Sequence, residues 1–223
     1  MKAIIVSDLH IGSRYFRAHS FEGFLQSLPN GYDLILNGDV ANDIGETSSQ
    51  MHQQVLKLIR QESLRRQVVW LSGNVDHGLE LPESGRIIFK RIHTIGDHIL
   101  VIHGDTFDKI RPRIRFFFRL LDRVRRTWER LGGKQLSGPQ FARKLEGLYK
   151  PYRKTIMRNA ICYAKEHGFS VVVCGHTHYP EDRTVDGIRY INTGGWTEQQ
   201  SFYLLVENEE ISLKIAEEST SPK

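Results

Sequence analysis

Five short polar motifs, each closing an apolar run, constrain this 223-residue chain more than any other feature. KAIIVS (2–7) runs into Asp8-x-His10, YDLILN into Gly38-Asp39, and QVVWLS into Gly73-Asn74. DHILVI runs into His103-Gly104-Asp105, and FSVVVC into Gly175-His176-x-His178. Such runs, rich in β-branched residues, read as buried strands. Segments 17–28 and 47–65 show helical spacing instead, with Met51, Val55, Leu58 and Ile59 on one face. Strands alternating with helices across short loops predict α/β layering with central parallel strands. In open sheets of that kind, ligand groups collect at the carboxyl ends of the strands. The five motifs can therefore meet in space although they span most of the chain.

GRIIF adds a shorter strand. GIRYIN and SFYLLVENEEISLKI are expected to close a second sheet, the last two strands turning at 207–210. Residues 1–216 are expected to form a single domain, with 217–223 as a flexible tail. The chain opens MKAIIVSDLH, without the charged and then apolar regions of a secretory leader, and no run is long enough to span a bilayer. Cys162 and Cys174 form no CxxC pair and read as reduced thiols in a cytoplasmic setting.

The pattern changes after Asp108. Ile114, Phe117, Leu121, Val124, Trp128 and Leu131 recur every three or four residues, one seam of an amphipathic helix closed by Gly132-Gly133. Arg115, Arg119, Arg123, Arg126 and Arg130 line its opposite face. A second helical region runs from about 139 to 167, interrupted at Pro151. From Lys109 to Arg158 there are 16 basic and 3 acidic residues, a balance of +13. The remainder holds 15 basic and 23 acidic residues, a balance of −8. The insertion is thus suited to an anionic partner, while carboxylates are concentrated elsewhere. Its apolar seam would equally serve to pack against the domain.

Any one motif alone is a common loop feature. Five in order, each at a strand end, point to a metal site, because burying so many polar groups without a cation would cost several kcal/mol. Imidazole, carboxylate and amide oxygen suit first-row divalent ions such as Mn, Fe or Zn. A shared carboxylate can hold two such ions about 3.5–4 Å apart, where they clamp a phosphoryl group and activate water for in-line attack.

The motif series D-x-H, G-D, G-N, H-G-D and G-H-T-H resembles the calcineurin-like metallophosphoesterase superfamily over residues 8 to about 195. The resemblance implies a four-layer α/β/β/α sandwich, here with a helical cap inserted at about 109–167. It also implies a dinuclear centre for phosphoester hydrolysis, with manganese the expected metal. Asp8, His10 and His178 would bind one ion and Asn74, His103 and His176 the other, with Asp39 bridging. Asp105 would orient a ligand imidazole. Many members carry a catalytic histidine after the motif asparagine; this chain has Val75 there. His77 is a candidate substitute or a packing residue, and Asp43 either borders the site or caps its loop.

Within the superfamily, His103-Gly104-Asp105-Thr106-Phe107-Asp108, the helical insertion and Gly175-His176-Thr177-His178-Tyr179-Pro180 resemble the UDP-2,3-diacylglucosamine pyrophosphohydrolase branch. That likeness implies a nucleotide-linked amphiphile as substrate, held by Arg115, Arg119 and Arg123, and contact with the inner face of a membrane. Val75 and the sequence GDVAND depart from the branch. A nuclease using the basic insertion to follow a phosphate backbone is the alternative. A non-catalytic scaffold would be expected to lack ligands, and all seven positions are filled.

Overall fold

The computed structural model describes residues 1–42, 49–79, 84–108, 127–128, 132, 140–141, 144, 146–208 and 210–217. Two sheets lie face to face. The first contains β1 (Lys2–Val6), β2 (Asp33–Asn37), β3 (Val68–Leu71), β4 (Ile88–Lys90), β10 (Phe202–Glu207) and β11 (Glu210–Ile215). Its order is β11-β10-β1-β2-β3-β4, with β1 to β4 parallel. The second contains β5 (Ile92–Ile95), β6 (Ile99–Ile102), β7 (Val171–Cys174), β8 (Glu181–Val185) and β9 (Ile188–Asn192), in the order β5-β6-β7-β9-β8.

The central strands are apolar along most of their length because both of their faces are covered. Ala3, Ile5, Ile35, Val69 and Leu71 meet Val101, Val173 and Ile191 between the sheets. Ile4, Val6, Leu34 and Leu36 face the other way, toward α1 (Ala18–Ser27) and α2 (Gln50–Arg65), which contribute Phe21, Phe24, Val55 and Ile59. Ser49 caps α2 by accepting the His52 N–H at 3.3 Å. On the outer face of the second sheet, α3 (Glu146–Glu166) packs Ile156, Ala160 and Ala164 against Leu100, Val172 and Tyr190. Helix, sheet, sheet and helix form the expected four layers.

Several details differ from expectation. The β10–β11 hairpin joins the first sheet, pairing antiparallel with β1 so that Leu204 and Val206 enter the same intersheet core as Ala3 and Ile5. β5 and β8 are edge strands with mostly polar or exposed residues, which left no apolar run to mark them. Pro151 does not interrupt α3. Its ring removes the bond to the Gly147 carbonyl, but both residues are exposed, so water can satisfy that oxygen. Trp128, expected on the packing seam, is 59% exposed. Arg115, Arg119, Arg123 and the rest of 109–126 lie outside the described residues, as does Asp43. Among the described residues, no helix is long and apolar enough to cross a membrane.

Candidate metal centre

Parallel pairing between β1 and β2 continues past the strands into their motifs. Asp8 N–H donates to Gly38 O (3.1 Å), His10 N–H to Asp39 O (3.0 Å) and Ile11 N–H to Val40 O (2.8 Å). The second sheet is tied to this edge from below: Asn37 Nδ2 donates to the carbonyls of Ile102 and Val173, each at 3.4 Å. Ser7 and Thr193 share a hydroxyl bond of 2.7 Å, and Asp8 accepts the His176 N–H at 2.9 Å. These bonds bring the ends of both sheets to one place.

There the motif residues form two groups. Asp8, His10 and His178 present ligand atoms within 4.8 Å of one another, as do Asp39, His103 and His176. Asp39 lies between them, with Oδ2 3.9 Å from His10 Nε2 and 3.5 Å from His103 Nε2. Its Oδ1 accepts the Val75 N–H at 2.8 Å, which brings the Gly73-Asn74 loop to the site. Asn74 itself is exposed. His77 is exposed too and makes no bond to a candidate ligand among the described residues.

The backbone is unusual at these positions. Asp8, His10, Asp39, His176 and His178 all have φ between 50° and 66°, in the left-handed region. Non-glycine residues rarely occupy it, although Asp, Asn and His tolerate it best, and such strain clusters at functional sites. The motif glycines answer a different need. A Cβ on Gly38 would overlap the His103 ring, and one on Gly175 would overlap the Asp8 carboxylate.

Hydrogen bonds on the outer nitrogens fix three of the four imidazoles. His103 Nδ1 donates to the Asn37 carbonyl (2.8 Å), and His10 Nδ1 faces Asn42 Oδ1 (2.7 Å). His178 Nδ1 faces Thr197 Oγ1 at 3.2 Å, with Glu198 Oε1 at 4.0 Å. Each leaves Nε2 turned inward, the second-layer pattern of metal-binding histidines. His176 is the reverse: its Nε2 meets Asp108 Oδ2 at 3.1 Å and the Tyr152 hydroxyl at 3.2 Å.

Electrostatics favour a cation at this place. His103 is fully buried, which alone would lower its pKa, yet the Asp8 and Asp39 carboxylates raise it to about 10. Burial likewise opposes ionisation of Asp39, but His103 and His10 outweigh it and hold the carboxyl well below the usual range. Burial pushes Asp8 up. His178 is held well below its ordinary value, first by burial and then by the neighbouring His10, so its ring is a free base. His103 Nε2 is buried without a hydrogen-bond partner. The Nε2 atoms of His10 and His178 stand only 3.2 Å apart, an arrangement that needs a proton or cation between them. The donor set therefore fits divalent metal.

Four residues outside the expected set support the site. Asp76 is buried and accepts from Gly73 N–H (2.6 Å), Val40 N–H (2.9 Å) and Trp70 Nε1 (2.9 Å), joining the second and third motifs. Asn42 and Thr197 hold imidazoles, and Asp108 contacts His176. Asp105, expected beside an imidazole, instead pairs with Arg91 at 2.7 Å, and Arg91 also donates to the Ser72 carbonyl. Outside the candidate ligands themselves, the carboxylate in contact with the His176 ring is Asp108, one helical turn further along.

No curated protein matches the chain. Among solved structures, a double mutant of Vps29 from Entamoeba histolytica is similar at 14% identity, with 96% of this chain and 90% of that one covered and a TM-score of 0.49. YfcE, a phosphoesterase from E. coli, shares 16% identity over 95% of this chain and 91% of its own, with a TM-score of 0.47. An archaeal phosphodiesterase shares 17% identity over 96% and 99%, with a TM-score of 0.48. The calcineurin-like phosphoesterase model matches residues 1–180, which contain all five motifs, and the chain belongs to that family of hydrolases.

Proposed function

We propose that the protein hydrolyses a phosphoanhydride or phosphodiester at a dinuclear centre, with Asp39 shared between the two metal positions. Asp8, His10 and His178 would hold one ion, and Asn74, His103 and His176 the other, with manganese the expected metal. The observation that carries this is the place of Asp39 Oδ2, between an imidazole of each group. When bound, the two ions would supply Lewis acidity toward the phosphoryl oxygens and toward a water. The chain's own residues supply geometry. The Val75 N–H holds Asp39 Oδ1, and the backbone bonds between β1 and β2 fix Asp8 and His10 relative to Asp39.

Val75 bears on the substrate. A valine at the position where many relatives carry histidine has no proton to give a departing alkoxide. A leaving group that departs as a stable anion, such as a nucleoside monophosphate, needs none. This favours a pyrophosphate bond over an alkyl phosphodiester. The +13 balance and the Phe116-Phe117-Phe118 run of the insertion suit an anionic amphiphile resembling UDP-2,3-diacylglucosamine, with Arg115, Arg119 and Arg123 on the diphosphate.

The test combines metal analysis with a substrate panel. Two equivalents of divalent metal and hydrolysis of bis(p-nitrophenyl) phosphate are expected, with Asp39→Asn removing hydrolysis while the fold is retained. Full activity in Asp39→Asn would overturn the dinuclear reading. Across UDP-diacylglucosamine, dinucleotide polyphosphates, cyclic nucleotides and single-stranded DNA, the pyrophosphates should turn over fastest. Replacing the three arginines by alanine should slow the amphiphile far more than the small ester. Preferred cleavage of DNA would replace the amphiphile with a nucleic-acid backbone.

A further inference from the structure

His176 is the one candidate imidazole whose outward atom is Nε2, and two residues from separate elements meet it there. Asp108 follows the short 3-10 turn after His103, and Tyr152 stands on the second turn of α3. The Tyr152 hydroxyl donates to Asp108 Oδ2 at 3.1 Å, and His176 Nε2 lies 3.1 Å from the same oxygen. An ionised carboxylate only accepts, so the ring nitrogen facing it carries the hydrogen. That places the His176 lone pair on Nδ1.

The surroundings hold this arrangement firmly. Tyr149, Tyr152 and Arg153 share one face of α3, spaced as helical neighbours are. The Tyr149 hydroxyl donates to the Thr177 carbonyl. Arg153 pairs with Glu181 at 3.0 Å and lies 3.5 Å over the Tyr179 ring. The face of α3 thus grips the loop from His176 to Glu181 at three points, and Asp108 joins Tyr152 of the same helix to His176. Asn159 Nδ2 further donates to the Phe107 carbonyl at 2.9 Å, fixing the turn that carries Asp108 against the same helix.

We infer that Asp108 and Tyr152 are positioning residues that set the tautomer and orientation of His176 for one of the two metal positions. This rests on the dinuclear reading above. A carboxylate behind a ligand imidazole fixes its orientation and raises its basicity, and losing such a partner typically weakens metal affinity about 10- to 100-fold. The effect falls on one position only, because His10, His103 and His178 have other partners.

The experiment uses the full chain in two states. In the metal-free protein, ¹⁵N resonances of the His176 ring report the tautomer, which should be Nε2–H in the wild type and shift toward a mixture in Asp108→Ala. In Mn²⁺ titrations, Asp108→Ala should weaken one of two equivalents about 10- to 100-fold and leave the other unchanged. Tyr152→Phe should weaken the same equivalent less, and Asp108→Asn should recover part of the loss because its amide oxygen still accepts. Should the alanine variant fail to fold, the Asn and Phe variants carry the same comparison. An unchanged ring tautomer with both equivalents bound as in the wild type would overturn the inference. A wild-type chain that takes up fewer than two ions would remove the dinuclear reading, while the metal-free tautomer measurement would still decide the role of Asp108.

Discussion

The Val75 N–H donates to Asp39 Oδ1 at 2.8 Å, so the residue that lacks a catalytic side chain still serves the site through its backbone. Its side chain is 39% exposed, with room for a larger group. Val75→His should therefore keep the Asp39 contact and add a proton donor. General acid catalysis is typically worth 10²–10⁴-fold, so a gain of at least about 10-fold is expected on alkyl phosphodiesters, with little change on pyrophosphates. A leaving-group series of kcat/KM values checks this; an equal gain on both classes would contradict it.

Asp76 holds three donors while almost fully buried. Asp76→Ala strands the Gly73 and Val40 N–H groups and the Trp70 indole in a place water reaches poorly. Each buried unpaired donor costs about 1–3 kcal/mol, so a loss of about 3 kcal/mol or more is expected in urea unfolding. Activity should fall as well, since the second and third motifs lose their common anchor. A change below about 0.5 kcal/mol would show that the loops are held by other contacts.

Left-handed backbone at the candidate ligands predicts an ordering between two ways of removing one. His10→Gly and His10→Ala should both weaken metal binding. In the metal-free state the glycine variant should be the more stable, by about 1 kcal/mol, because glycine adopts φ near 53° without steric penalty. Chemical denaturation in the presence of a chelator compares the two. An alanine variant that equals or exceeds the glycine one would mean the backbone relaxes when the ligand is lost.

Alkaline stability is governed in part by Tyr190. Burial holds its hydroxyl well above its ordinary pKa of 10.0. The folded group keeps its proton where the unfolded one releases it, so its contribution is fully present below pH 10 and is lost as pH rises further. One such proton corresponds to a slope of about 1.4 kcal/mol per pH unit. Tyr190→Phe removes this term, so its urea midpoint should fall less steeply than the wild type between pH 10 and 11. Parallel curves would exclude Tyr190 as the titrating group.

The convergence of Asp8, Asp39, His103 and His176 was legible because each follows a run buried on both sides, and such runs identify central strands whatever their partners. The outer supports were not. Asp108 reaches His176 only because a 3-10 turn and α3 bring together residues 68 positions apart, and Tyr152 joins them from 44 positions after Asp108. No local pattern marks such pairs. Asp105 attracted attention because it adjoins a motif histidine, whereas its neighbour in space is Arg91. Strand β8 reads as EDRTV, a surface loop by composition, because an edge strand with one solvated face requires little apolar character. The β10–β11 hairpin was recognisable as a hairpin, but alternation states which face is apolar and not which sheet will receive it.

The pairing of Lys2 with Glu207 across β1 and β10 has a consequence for the order of events during synthesis. The strand that leads into Asp8 is synthesised well before β10, so one of its two edges waits for a partner about 200 residues later. Until β10 arrives, β1 can pair only with β2, and its exposed edge is open to strands of other molecules. The sheet that leads into Asp8 is therefore completed after every motif has been translated.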